Sequence, residues 1–329
     1  MRSTVRVILA VGFVISLLSA AQTPKKDQAP PEDLPTIRVD VDLVNVLFSV
    51  RDKKGAYVAN LTKDDFQVFE DGKEQQIRVL TRESDLPLTI GLLVDVSRSQ
   101  ENLIEIERRA AMQFFRQVLR PKDMAFLIAF GSEAELLQDY TNSAKMLSEA
   151  LGQLRVNSAV GGLHPSPVPT IGQPRGTILF DAVYLAADEK LKKEVGRKAM
   201  VLITDGVDVG SRVRLRDAIE MAHKADAIIY SIQYIDWSVY GGFGNPGDGD
   251  LRRMSEETGG RLYRVDRKYT LERILDEIQT ELRSQYALAY SPTNPAKDGG
   301  FRRLEIRTKN KDLKVQARKG YYALPQSAH

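Results

Sequence analysis

From residue 36 to residue 84, apolar and polar positions alternate with a period of two. Ile37, Val39, Val41 and Leu43 share one phase, and Val44, Val46, Phe48 and Val50 continue on the opposite one. A phase flip within a run predicts a bulge or a strand that changes sheets. Lys54-Gly55 and Asp71-Gly72 mark turns. Phe66 and Val68 before the second turn, with Ile77 and Val79 after it, predict a hairpin. At Leu88 the pattern changes. Leu88 to Val94 is nearly continuously apolar, as expected of a strand buried on both faces. Leu103, Ile106, Ala110, Phe114 and Val118 then recur at helical spacing within 100–120. Further buried strands are predicted over 124–130, 199–204, 227–235 and 262–265, with a short antiparallel edge strand near Leu136. Helices are predicted over 143–154, 179–193, 214–224, 250–258 and 270–283, with Ser143 as an N-cap. Glycine-rich loops fill 157–176 and 237–249. Alternation returns after Gln285, in Leu288 and Tyr290, Leu304 and Ile306, and Leu313 and Val315.

Strands alternating with helices predict an α/β fold: a doubly wound, mostly parallel six-stranded sheet covered by helices on both faces. The β-rich flanks, 36–84 and 286–323, are too short to bury stable cores of their own. Their alternating apolar faces and strand edges need partners. The expectation is one small β-sandwich built from both flanks, with the α/β domain (85–285) inserted between them.

The first 35 residues carry a different pattern. Arg2 and Arg6 precede an apolar run from Val7 to Leu18, then Ser19-Ala20-Ala21. This is the pattern of a signal peptide over 1–21, cleaved after Ala21. It places the mature chain in the periplasm or outside the cell, with no membrane span after cleavage. Residues 22–35 are polar, proline-rich and aperiodic, which predicts a flexible linker.

Composition removes several kinds of chemistry. There is no cysteine, so disulfides, thiolate metal sites and cysteine nucleophiles are excluded. The three histidines, His164, His223 and His329, are far apart. Any bound metal is therefore expected to be hard and oxygen-ligated. A net charge of +3 from 47 basic and 44 acidic residues gives no electrostatic support for nucleic-acid binding. A serine hydrolase needs a base beside its nucleophile. G-x-S-x-G is absent and no histidine has a triad context, so no enzymatic activity is expected.

One set of residues does carry chemistry. The first buried strand ends in Asp95-Val96-Ser97-Arg98-Ser99. Thr177 stands at a helix entry, and Asp205 follows the strand 199–204. All three segments fall at the carboxyl edge of the sheet, where open α/β sheets bind ligands. Two carboxylates and three hydroxyls suit a hard divalent cation that keeps waters and an open position. With few anionic ligands the ion stays electron-poor, which favours capture of an external carboxylate over activation of water.

From about Leu86 to Gln285 the chain resembles the von Willebrand factor A (VWA) domain. The resemblance rests on its metal-ion-dependent adhesion site (MIDAS), D-x-S-x-S, then threonine, then aspartate. Asp95, Ser97, Ser99, Thr177 and Asp205 match all five positions. It implies that Ser97, Ser99 and Thr177 ligate Mg²⁺, with Mn²⁺ or Ca²⁺ as alternatives, and that Asp95 and Asp205 act mostly through water. The open position would accept an Asp or Glu from a partner protein. Phe66 to Gly72 and Arg318 to Tyr322 are similar to segments of exported bacterial, acidobacterial-type VWFA-related proteins. The loop before Thr177 is longer than usual and carries His164, Pro165, Pro167 and Pro169. It would either offer a specificity surface or cover the site. Trp237, Tyr240 and Phe243 lie in the second glycine-rich loop and are candidates, with His164, for partner contact. For Trp237 the alternative is packing onto the sheet edge. The expected function is that of an exported Mg²⁺-dependent protein-binding module. The alternative is a structural envelope component whose metal is architectural.

Overall fold

A computed structural model describes residues 43–82, 86–156, 176–240 and 246–325. The expected signal segment, the 22–35 linker, the alternation from Ile37 to Val41, His164 and Phe243 lie outside the described residues.

The N-terminal flank supplies β1 (Val44–Arg51), β2 (Phe66–Glu70), β3 (Lys73–Gln75) and β4 (Ile77–Arg82). The α/β part follows with β5 (Leu88–Asp95), α1 (Ile104–Val118), β6 (Met124–Phe130), β7 (Ala134–Thr141) and α2 (Ala144–Leu151). Next come α3 (Leu179–Leu185), β8 (Arg197–Thr204), α4 (Leu215–Lys224), β9 (Ala227–Gln233) and α5 (Trp237–Tyr240). It closes with α6 (Asp248–Thr258), β10 (Leu262–Arg264) and α7 (Leu271–Arg283). The C-terminal flank adds β11 (Tyr286–Tyr290), β12 (Phe301–Thr308), β13 (Lys314–Ala317) and β14 (Gly320–Tyr322).

The central sheet has the order β10-β9-β8-β5-β6-β7. Every pair in it is parallel except β6 with β7, the short edge strand expected after Gly131-Ser132. All of β5, β8 and β9 is buried, because helices cover both faces. Two helix starts follow their caps. Ser143 Oγ accepts from the Met146 N–H at 3.3 Å, and Thr270 Oγ1 accepts from the Arg273 N–H.

The flanks interleave. One four-stranded sheet runs β13-β1-β11-β4 and the other β14-β12-β2-β3, so each holds strands from both ends of the chain. Val46 pairs with Leu288, Leu288 with Leu80, and Val68 with Ile306. Their inward side chains share a core of Val46, Phe48, Phe66, Val68, Tyr286, Leu288 and Ile306, in which Phe48 stacks on Tyr286 at 5.4 Å. Beneath them Glu70 accepts hydrogen bonds from Tyr290 (2.6 Å) and Tyr321 (2.9 Å). The α/β part is therefore inserted into a sandwich made by both flanks. Arg197 spans the two crossings, donating to the carbonyls of Leu86 (2.9 Å) and Leu282.

One local expectation changes. Asp71-Gly72 does turn a hairpin, with Glu70 opposite Lys73, but its second arm is only β3. Ile77 and Val79 belong to β4, which leaves for the other sheet and pairs with β11. The alternation across the turn was real, but the chain changes sheets between Gln75 and Ile77.

Candidate metal centre

β5 delivers Asp95 to the carboxyl edge with no solvent exposure. Its two oxygens have separate duties. Oδ1 accepts from the Ser97 N–H at 2.9 Å, shaping the turn after the strand. Oδ2 accepts from Thr204 Oγ1 at 2.5 Å, joining β5 to β8, and Thr204 Oγ1 in turn accepts from the Gly206 N–H at 3.0 Å.

Beyond Asp95, the hydroxyls of Ser97 and Ser99 stand 3.0 Å apart. Ser99 Oγ donates to Asp205 Oδ2 at 2.6 Å, and the Val207 N–H donates to Asp205 Oδ1 at 2.9 Å. Gly206 holds a φ of +88°, and a Cβ there would meet Leu251 at 2.6 Å, so this tight turn after Asp205 requires glycine. Asp95, Ser97, Ser99 and Asp205 thus form one bonded set.

Thr177 joins through its backbone. It forms an isolated bridge with Val209, whose N–H donates to the Thr177 carbonyl at 2.9 Å. A Cβ on Gly176 would lie 2.0 Å from the Val209 carbonyl oxygen, so only glycine permits this approach. The Thr177 segment is stitched to the segment carrying Asp205, four residues upstream of Val209. Asp208 is occupied as a cap, since its Oδ1 accepts from the Phe180 N–H at 3.1 Å and from Ser211 Oγ at 2.5 Å.

The polar end of Tyr240 is engaged within the chain. Its hydroxyl donates to Asp205 Oδ2 at 2.7 Å. Trp237, three residues earlier, is 47% exposed and borders a cleft of about 520 Å³ with Tyr234, Ile235 and Val265. Asp236 caps this helical turn, accepting from the Ser238 N–H (2.9 Å) and from Asn102 Nδ2 (2.6 Å).

Glu107 escaped the sequence reading. The buried face of α1 is Ile104, Glu107, Ala110, Ala111, Phe114, Phe115 and Val118, with Leu103 and Ile106 only half-buried. Glu107 has no solvent exposure, and neither of its carboxyl oxygens has a hydrogen-bond partner among the described residues. Burial, reinforced by the Asp95 and Asp205 carboxylates, pushes its carboxyl well above the ordinary range. The signal was present: Glu107 is three residues before Ala110 and seven before Phe114, inside the apolar stripe.

A raised folded pKa costs nothing below the ordinary glutamate value near 4.3 and costs progressively more as pH rises. Glu107→Gln keeps the shape and removes the charge. In EDTA the variant should match wild type near pH 4 and exceed it near pH 8 by at least about 1 kcal/mol, the low end for relieving a buried unpaired group. Urea melts at both pH values check this, and an equal difference at the two would contradict it.

The Ser97–Ser99 separation of 3.0 Å is that of a hydrogen bond, and neighbouring oxygens on a hard divalent cation also lie about 3 Å apart, so the two hydroxyls fit as a pair of ligands to such an ion. Among the described residues no group of three or more His, Cys, Asp or Glu side chains could hold a metal. No helix among them is long and apolar enough to cross a membrane.

No protein-family model matches the chain, and no curated protein matches it at a significant level. Solved structures do. The conserved hypothetical protein BatB from Bacteroides thetaiotaomicron superposes with a TM-score of 0.45 at 16% identity, covering 60% of this chain and all of its own. Proximal thread matrix protein 1 from the mussel byssus, in a form with a zinc-occupied MIDAS motif, gives 0.46 at 16% identity, covering 64% of this chain and 48% of its own. The SpRpn10 VWA domain gives 0.39 at 16% identity, covering 58% of this chain and 94% of its own. All three are distant likenesses.

Proposed function

We propose that this chain is an exported, divalent-cation-dependent protein-binding module of VWA type. Ser97, Ser99 and Thr177 would hold Mg²⁺, and Asp95 and Asp205 would support it from behind through water. The observation that carries the reading is the pair of hydroxyls 3.0 Å apart, one of which donates to Asp205. Each carboxylate is already engaged: Asp95 by Ser97 and Thr204, Asp205 by Val207, Ser99 and Tyr240. The oxygens left to ligate an ion directly are therefore the neutral hydroxyls, with the two carboxylates behind them. When bound, the ion supplies an electrophilic position that takes a carboxylate oxygen from a partner protein. Ser97 and Ser99 hydrogen-bond each other, and Ser99 donates to Asp205; the reading is binding rather than catalysis.

Calorimetry with Mg²⁺ and Mn²⁺ tests the site. Thr177→Ala and Asp205→Ala should each weaken cation binding at least roughly tenfold, in line with losing a ligand or its support, while far-UV spectra stay unchanged. Unchanged affinity in both variants would remove the proposal. The second reading, a structural envelope component with an architectural metal, predicts partner capture that survives EDTA. A pull-down from the exported proteome with wild type and Asp95→Ala, with and without EDTA, separates the two.

A further inference from the structure

Asp205 receives more donors than a two-serine, threonine and aspartate site supplies. Its Oδ1 accepts from the Val207 N–H at 2.9 Å. Its Oδ2 accepts from Ser99 Oγ at 2.6 Å and also from Tyr240 Oη at 2.7 Å. A carboxylate has about four acceptor positions, two on each oxygen. Oδ2, the oxygen on the Ser99 side, therefore has both positions filled, and the second is filled by a residue from a separate segment.

Both partners of this contact are held in place. At the start of α5, Asp236 bonds to Asn102, which follows the Ser97–Ser99 turn, and to the N–H and hydroxyl of Ser238 at 2.9 and 2.6 Å. Asp205 is fixed through its backbone: Gln233 Nε2 donates to the Asp205 carbonyl at 3.2 Å and to the Pro246 carbonyl at 2.6 Å. Tyr240 itself is half-buried. Its contact with Asp205 is thus built into three segments rather than left to a loose side chain.

We infer that Tyr240 is a positioning residue that keeps Asp205 off the cation by occupying Oδ2. This rests on the metal-binding reading above and adds a residue and a role to it. With Oδ2 engaged by two hydroxyls, Asp205 supports the ion only from a distance. A bound ion would then be held by the neutral oxygens of Ser97, Ser99 and Thr177, which would leave it room for one more water than Asp205 as a direct ligand would. That position would be the one open to an incoming partner carboxylate. Tyr240 thus gives up some metal affinity in favour of carboxylate capture, because affinity for a hard cation rises with the number of charged ligands.

The test uses the full chain and Mn²⁺ alone. Free Mn²⁺ is followed by electron paramagnetic resonance, and waters on the bound ion by water-proton relaxation. Tyr240→Phe should bind Mn²⁺ roughly three- to tenfold more tightly, as an added anionic ligand requires, and relaxation per bound ion should fall by the share of one water. Asn102→Ala, which loosens the anchor of α5, should move both readouts in the same direction by less, and it serves if Tyr240→Phe folds poorly. A merely structural phenol would give weaker Mn²⁺ binding with unchanged relaxation per ion. That result, or wild-type values for both readouts, overturns the inference and leaves the metal site standing. Absence of Mn²⁺ binding in wild type would overturn the metal reading itself, and the inference with it.

Discussion

Cation affinity is expected to climb roughly tenfold per pH unit between about pH 5 and pH 7, and then to level off. The source is Asp95. Burial first, and the neighbouring Asp205 carboxylate second, push its carboxyl up to about 7, against hydrogen bonds from Thr204 and Ser97 that act in the opposite direction. A cation needs the ionised form, so a proton must leave as the ion enters. The sign for folding is the reverse. A carboxyl raised in the folded state contributes stability that is fully present below its ordinary value near 3.9, and that stability is lost as pH rises to about 7, on the order of a few kcal/mol. In EDTA the chain should therefore be more stable in mild acid than at neutral pH, and Mg²⁺ should narrow that difference. Asp95→Asn should flatten the pH dependence and weaken cation binding. Calorimetry at pH 5, 6, 7 and 8, in two buffers of different ionisation heat, reads the proton directly. Near pH 5.5 release should approach one proton per ion, and near pH 8 it should vanish. A pH-independent affinity without proton release would rule this out.

Replacing Arg51 with methionine is expected to cost about 3–5 kcal/mol, the range for leaving a buried charge without its partner. Arg51 lies at the end of β1 and forms ion pairs with Glu277 at 2.5 Å and Glu281 at 3.0 Å, both on α7. The Glu281 side chain is only 1% exposed. It also accepts from Ser49 Oγ at 2.9 Å and from the Tyr57 hydroxyl at 2.9 Å, while Tyr269 donates to Glu277. The guanidinium lies over the Tyr57 ring at 4.3 Å. Removing the cation strands Glu281 in the interior. Glu281→Gln should be milder, because it strands no buried charge: Arg51 keeps its ion pair with Glu277, and the one amide oxygen still accepts from either Ser49 or Tyr57, which bond to different oxygens of the carboxylate. The double variant should be more stable than Arg51→Met alone. Urea denaturation of the three chains measures this, and an Arg51→Met chain within about 1 kcal/mol of wild type, inside the range of an exposed pair, would show that the network contributes little. The same contacts tie α7 to the sandwich: any shift of α7 along its axis has to break two ion pairs or carry β1 with it. No flexible linker separates α7 from β11, since Arg283 ends the helix and Tyr286 begins the strand.

The candidate site was partly legible before any fold was known. Each strand end carries a local signature. Asp95 closes a nearly continuous apolar run, and Asp205 follows another, so both had to emerge at the same edge once those runs paired in parallel. Ser97 and Ser99 come with Asp95 by adjacency. Thr177 was placed by its helix start, although the contact that stitches it to Val209 involves a glycine whose reason is only visible when the two backbones meet. Tyr240 was singled out as an aromatic on the right face, but whether its hydroxyl is free or bonded to Asp205 depends on how α5 is anchored through Asp236 to Asn102. Glu107 was hidden by the apolar residues around it: helical spacing puts it in the stripe, while its chemistry says it should be outside.

Hydrophobic period alone determined the element types, the buried character of β5, β6, β8 and β9, the alternation of strand and helix, and the incompleteness of each flank. These are local properties, because burial on one or two faces writes itself into neighbouring residues at fixed spacing. The tertiary structure alone decided how the flanks interleave, that β4 leaves its hairpin neighbour for the other sheet, that Arg51 reaches residues more than two hundred positions away, and that three donors converge on Asp205. Those outcomes depend on which edges and polar groups find one another across the chain. A buried carboxylate or an unpaired strand edge only states that a partner is required; its identity is settled when the layers close and every candidate donor has a position.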